Sequence, residues 1–166
     1  MGNGRDATKK AMYKEWIDRL LQVELFKNME KDELENTLCC LNPDIKYYNK
    51  NEIITMEKDK LTGIGIVLDG EVVVGKETLA GDRVIISRLG EGHLFGEVAA
   101  FVSGHWLATV VAYTECSILF FPPDKIIGVC TRMCGGHRKL IENMLQIVAK
   151  KAMVLNKKVE MLSLKS

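Results

Sequence analysis

The chain has 166 residues, enough for one compact domain with its own core plus an appendage. Hydrophobic residues make up 47% and charged residues 27%, with a formal net charge of +1. That is the balance of a soluble globular chain, without the positive excess that nucleic-acid or membrane-surface binding draws on, and no run of about 18 apolar residues is present to span a membrane.

The N-terminus, MGNGRDATKK, lacks the apolar core of a signal peptide. Tyr13, Trp16, Ile17, Leu20, Leu21 and Leu25 then recur at helical spacing and predict one face of an amphipathic helix. A second helix is expected over about Lys31 to Leu41, with acidic residues early and Asn42-Pro43 as its stop. From Ile45 to Phe121 the chain reads as strands. Ile64–Leu68 and Glu71–Val74 flank Asp69-Gly70, the two-residue signal of a tight type I′ hairpin. Arg83–Leu89, Thr109–Tyr113 and Cys116–Phe121 are further strands, the last two split by a turn at Thr114-Glu115. Pro122-Pro123-Asp124 stops the sheet and opens a short helix through Val129, and Gly135-Gly136 is a hinge.

The last segment carries the sharpest pattern. Ile141, Leu145, Val148, Ala152, Leu155, Val159 and Leu162 are separated by 4, 3, 4, 3, 4 and 3, a seam of apolar heptad positions that predicts a helix pairing with another helix. A second, broken stripe of Leu140, Met144, Ile147, Val154 and Met161 runs beside it, interrupted by Lys151 and Lys158. Two stripes are wider than one partner needs. One is expected on the chain's own body and the other on a second copy, giving a parallel homodimer.

The five cysteines are odd in number and Cys39 and Cys40 are adjacent, which fits a reducing cytoplasm better than a disulfide framework. Cys130 and Cys134 sit four apart but lack a zinc knuckle, and the cysteines are read as buried free thiols.

Between the strands lies LGEGHLFGEVAAFVSGHWLA, a glycine-rich stretch suited to wrapping an anion in backbone amides. With Asp69-Gly70-Glu71-Val72, Gly90-Glu91-Gly92, Phe95-Gly96-Glu97 and the terminal heptads, in that order, the chain resembles the sensor half of the Crp/Fnr family of bacterial transcription regulators. The resemblance implies a mainly β fold with flanking α, a double-stranded β-helix or jelly roll with N-terminal helices and a long C-terminal dimerisation helix. It divides the chain into an effector-sensing domain over 1–134 and a dimerisation helix over 135–166, with the helix-turn-helix module absent from this chain. In nucleotide-binding members a Gly amide meets the cyclic phosphate, a Glu takes the ribose hydroxyl, and an Arg-Ser pair clamps the charge. Gly96 and Glu97 match the first pair. The Arg-Ser pair falls on Trp106 and Leu107, or with a one-residue slip on Leu107 and Ala108, so neither register offers a cation or a hydroxyl. The adenine-reading hydroxyls fall on Leu155 and Asn156.

A phosphate buried without its arginine forfeits a charged hydrogen bond of about 1.5–3 kcal/mol, so cyclic AMP is not expected to bind. The expected ligand is an unknown, less charged small molecule, or the pocket is filled by its own side chains. Gly96, Glu97, Val98, Trp106, Leu107, Ala108, Leu155 and Asn156 are the candidate ligand residues, with Arg88 available to a ligand carboxylate. Glu97 alternatively caps the amides of its own crossover. His93 and, second, His105 are the haem-ligand candidates, but no cofactor or metal is expected. The function implied is a non-enzymatic, cytoplasmic sensor and dimerisation domain, reaching DNA only through a module outside these residues. The lysines of the last helix read as solvated flanks. The alternatives are a stand-alone small-molecule-binding β-roll, a cyclic-nucleotide module of a kinase or channel, or a cupin-type metalloenzyme using His93 and Glu97, in which Glu91 stands where a partner histidine belongs.

Overall fold

The computed structural model describes residues 3–127 and 135–165. The chain opens with helix α1 (Asn3–Leu20), a single 3-10 turn (Glu24–Phe26) and helix α2 (Lys31–Leu41). Helix α2 carries Asp32 and Glu33 in its first turn, where carboxylates offset the exposed amide dipoles. It ends at Asn42, whose φ of 50° is the left-handed cap that asparagine tolerates, and whose N–H donates to the Leu38 carbonyl at 2.8 Å. The predicted face of α1 is the buried one: Tyr13, Ile17 and Leu20 enter the core with Leu25 of the 3-10 turn.

Eight strands follow: β1 (Asp44–Tyr48), β2 (Ile53–Thr55), β3 (Ile64–Asp69), β4 (Val72–Glu77), β5 (Arg83–Leu89), β6 (Leu94–Phe95), β7 (Thr109–Ala112) and β8 (Cys116–Phe121). Helix α3 (Glu97–Val102) is set between β6 and β7, and α4 (Pro123–Ile127) and α5 (Gly135–Leu164) complete the chain. The strands form two antiparallel four-stranded sheets, ordered β1-β8-β3-β6 and β2-β7-β4-β5. This is the jelly roll expected of the sequence.

Alternation along β3 and β8 divides the interior in two. Ile64, Ile66, Leu68, Leu119 and Phe121 face the helices and join α1, α2 and the start of α5 in one apolar cluster. Val67, Cys116, Ile118 and Phe120 point the other way, into the roll, where they meet Val72, Phe95, Trp106, Val110 and Ala112. These two strands are apolar on both faces because both faces are covered. By contrast β5 lies at a sheet edge and leaves Val84, Ile85 and Ile86 exposed.

The Asp69-Gly70 turn does not close a hairpin. β3 pairs with β8 and β6, whereas β4 pairs with β5 and β7, so the turn passes the chain from one sheet to the other. Gly70 has φ +85°, but no positive φ occurs at Asp69, so the type I′ geometry is not adopted. The corner is pressed against the second sheet-crossing turn at Thr114-Glu115. A Cβ on Gly70 would stand 2.8 Å from Cys116 Cβ and would collide with the Glu115 carbonyl. The Glu71 amide donates to Thr114 Oγ1 at 3.0 Å, and the Tyr113 amide donates back to the Glu71 carbonyl at 2.9 Å. The paired hairpin is instead β4–β5, closed where the Thr78 amide donates to the Asp82 carbonyl at 2.8 Å.

Helix α5 runs for 30 residues, starting at the two glycines read as a hinge. Gly136 lies so near Thr37 that any side chain would strike its hydroxyl. Leu140, Met144 and Ile147 are buried on the helical core, and Asn143 donates to the carbonyls of Leu25 (2.9 Å) and Lys27 (2.8 Å). That amide satisfies the end of the 3-10 turn, which has no helix of its own to receive its carbonyls. From residue 149 to 165 every position is exposed, and past Lys150 and Lys151, which pair with Glu24 and Glu97, α5 stands clear of the body. No described helix is long and apolar enough to cross a membrane. Cys130, Cys134 and the expected helix end at Val129 lie outside the described residues. Cys116 is a buried free thiol as expected, whereas Cys39 is exposed and Cys40 half-buried, because they face outward from α2.

Candidate functional site

The glycine-rich stretch forms the bend between β6 and α3. Gly96 caps α3 with φ +88°, a conformation that an L side chain adopts only under strain. A Cβ there would lie 2.7 Å from the edge of the Trp106 ring and 3.3 Å from the Gly63 carbonyl. Two demands therefore fall on this glycine: the turn and the close approach of an indole.

Trp106 is held on both sides of its backbone. Its amide donates to the Asp59 carbonyl and its carbonyl accepts from the Lys58 amide, each at 2.8 Å. The ring is 5% exposed and lies 6.2 Å from the Phe95 ring at an interplanar angle of 34°. It belongs to the core of the roll, and it covers the glycine that the resemblance assigns to the phosphate. The neighbouring candidates turn outward: Val98 is 46% exposed, Leu107 37%, and Ala108 half-buried.

Glu97 is 3% exposed and makes an ion pair with Lys151 of α5, which also donates to the Leu94 carbonyl at 3.1 Å. The Glu97 carboxylate accepts from Lys151 rather than capping the amides of its own crossover. The buried carboxylate takes a partner 54 residues away, since leaving it unpaired would cost several kcal/mol. Lys150 likewise pairs with Glu24, so neither lysine is merely a solvated flank.

Arg88 is engaged elsewhere. Its guanidinium binds the Glu71 carboxylate, with Nε at 2.8 Å, and lies 4.0 Å over the Tyr113 ring. The hydrogen bond to Glu71, partly offset by burial, raises the Arg88 pKa above its ordinary value. His93 donates Nδ1–H to the Gly90 carbonyl at 3.1 Å, and His105 donates to the Ser103 carbonyl at 3.0 Å. His93 and Glu97 therefore have separate partners. Among the described residues no group of three or more His, Cys, Asp or Glu side chains is placed to hold a metal.

A groove of about 340 Å³ opens beside the cradle, between the Gly92–Leu94 segment, the 3-10 turn and α5. Val154 and Leu155 line it with Leu25 and Ile147, and Lys150, Lys151 and Lys158 bring three ammonium groups. Of the two predicted α5 ligand residues, Leu155 lines this groove and Asn156 does not. The lysines and His93 were not legible as one site. The available signal was the seven-residue interval between Lys151 and Lys158, which sets both on one flank of the helix beside Val154.

Comparison with known proteins places this geometry. The family model described as "Cyclic nucleotide-binding domain" matches residues 45–133. The cAMP-dependent protein kinase regulatory subunit of Dictyostelium discoideum is 28% identical over 113 residues, covering 65% of this chain and 33% of that protein, so the chain spans about a third of that relative. Among solved structures, the Thermus thermophilus catabolite activator protein superposes with a TM-score of 0.73 at 21% identity, over 84% of this chain and 63% of that one. The sensor domain of the transcriptional regulator DNR from Pseudomonas aeruginosa gives 0.64 at 17% identity, over 91% and 93%. At these identities the superpositions establish the fold, and the named neighbours are regulatory proteins. A two-sheet roll, a glycine-capped crossover helix and a matching family model over more than half the chain lead to one conclusion: the chain belongs to the cyclic nucleotide-binding domain family.

Proposed function

We propose that this chain is the effector-sensing and dimerisation domain of a Crp/Fnr-type transcription regulator, and that its nucleotide cradle is closed to cyclic nucleotides. The observation that carries the reading is the Trp106 indole seated on Gly96. A cyclic phosphate entering there has to displace a buried aromatic ring from the core of the roll. It gains no cation in return, because residues 98–108 contain neither lysine nor arginine. The carboxylate that would receive the ribose hydroxyl is held by Lys151.

The role is regulatory. Helix α5 joins the roll through Lys151 and Glu97, then projects an exposed heptad seam that suits a second copy. An effector touching both the roll and α5 shifts how the two helices pair, and a DNA-reading module attached beyond α5 would respond to that geometry.

Calorimetric titration tests the first half. Cyclic AMP and cyclic GMP are expected to give no saturable heat, whereas micromolar affinity overturns the reading. Trp106→Arg vacates the seat and adds the missing cation, and is expected to gain nucleotide affinity. Trp106→Ser, which only vacates it, is expected to gain less.

A further inference from the structure

Resting on the reading of the chain as an effector-sensing domain, we propose that the groove between α5 and the Gly92–Leu94 segment is the effector site, and that it takes a small organic acid: a carboxylate or phenolate on a compact apolar body.

Its size of about 340 Å³ falls in the range that small-molecule sites occupy. The wall formed by Leu25, Ile147, Val154 and Leu155 offers an apolar body a surface to cover. The charged rim is unbalanced, with three lysines lining the groove and Glu24 as its single carboxylate. Glu24 is taken by Lys150, and Lys151 turns to Glu97, which leaves Lys158 without an ion-pair partner among the described residues. An acid completes this arrangement: its charge meets Lys158 and its body displaces water from the apolar wall. His93 lines the opposite bank, its ring held by the Nδ1 contact to the Gly90 carbonyl at 3.1 Å. The groove contains none of Gly96, Trp106 or the α3 backbone, and it meets the nucleotide cradle at Leu155 and at Lys151, the partner of Glu97.

Its position gives the ligand leverage. Ile147 is the last α5 residue buried on the body, and the groove spans the turns directly beyond it. A molecule held there links the roll to the part of α5 that otherwise stands free.

The test is a titration of the isotope-labelled chain, followed by amide chemical shifts, with octanoate and 2-naphthoate as probes and octanamide and inorganic phosphate as controls. The acids are expected to give saturable shifts at Gly92–Leu94 and across 150–158, with dissociation constants of about 1 mM or tighter. Octanamide is expected to bind about tenfold more weakly, and Lys158→Gln to weaken the acids by about five- to tenfold. Val154→Asp, at an exposed turn, is expected to abolish binding, while Ile85→Gln, on the exposed edge strand β5 and outside the groove, leaves it unchanged. Absence of saturable shifts, equal binding of acid and amide, equal shifts from phosphate alone, or shifts confined to the cradle overturn the proposal. Sedimentation of the same samples separates the two readings. A monomer that binds the acids keeps the groove and removes the dimerising domain, whereas a dimer that binds none removes the groove.

Discussion

Single residues shape the cradle. Trp106 lays an aromatic ring over Gly96, and the missing Cβ at that glycine permits the approach. The apolar character of position 106 and its proximity to the cradle are legible from chain order alone. The partner of Glu97 is not, because Lys151 lies 54 residues away and nothing local in either segment points to the other. Cys116 illustrates a second effect of burial. Desolvation first, then the carboxylates of Asp69 and Glu52, push its thiol above the ordinary 9.0. Burial, then Cys116 and Glu52, push the Tyr48 phenol above 10.0. In both cases the folded chain keeps its proton to higher pH than the unfolded chain, so the folded state binds more protons across that interval. Stability is expected to be intact below the unfolded-state values of 9.0 and 10.0 and to fall as pH rises past them. Chemical denaturation at stepped pH measures this, and Cys116→Ala and Tyr48→Phe together are expected to flatten the alkaline limb. At neutral pH, iodoacetamide is expected to modify exposed Cys39 well before Cys116.

At the scale of elements, α5 shows which of two apolar stripes does which job. Leu140, Met144 and Ile147 go to the body because Asn143, on the same face, finds the open carbonyls of Leu25 and Lys27. The regular seam packs half-buried on the body at Ile141 and is left outside further along, with Leu155 62% and Leu162 69% exposed. The heptad spacing is legible in sequence. Which stripe faces inward is not, since both are apolar and only the position of the 3-10 turn distinguishes them. The double substitution Leu155→Glu and Leu162→Glu is expected to halve the mass seen by sedimentation while leaving helix content and melting temperature within a few degrees, about 1 kcal/mol or less for exposed positions. A chain that sediments as a monomer before substitution removes the pairing. The Asp69-Gly70 corner makes the same point for strands. Its glycine conformation is local, but whether the flanking strands pair depends on the fit of Gly70 against Glu115 and Cys116.

For the whole molecule, two apolar cores share the sheet that contains β3 and β8. Phe121 belongs to the helical core and meets Phe26 at 6.0 Å between ring centroids, whereas Phe120 belongs to the roll and meets Phe95 edge-on, also at 6.0 Å. Phe121→Ala is expected to cost about 3–5 kcal/mol, and urea unfolding monitored by circular dichroism checks it. The cost includes the seating of α5, because α1, α2 and the first turns of α5 close over the same cluster.

The sequence by itself determined the succession of helices, then strands, then a long last helix, the existence of a crossover built on Gly96, the absence of lysine and arginine from residues 98–108 and the heptad seam. Each of these is written in neighbouring residues or in a fixed period, and periodicity and turn chemistry act over a few residues. Only the tertiary structure decided that Asp69-Gly70 crosses between sheets, that the Trp106 ring lies over Gly96, that Lys151 holds Glu97, and that Lys158 and His93 line one groove. Those facts join residues distant in the chain, and their selection rests on close packing and on the cost of a buried charge without a partner, neither of which has a local signature.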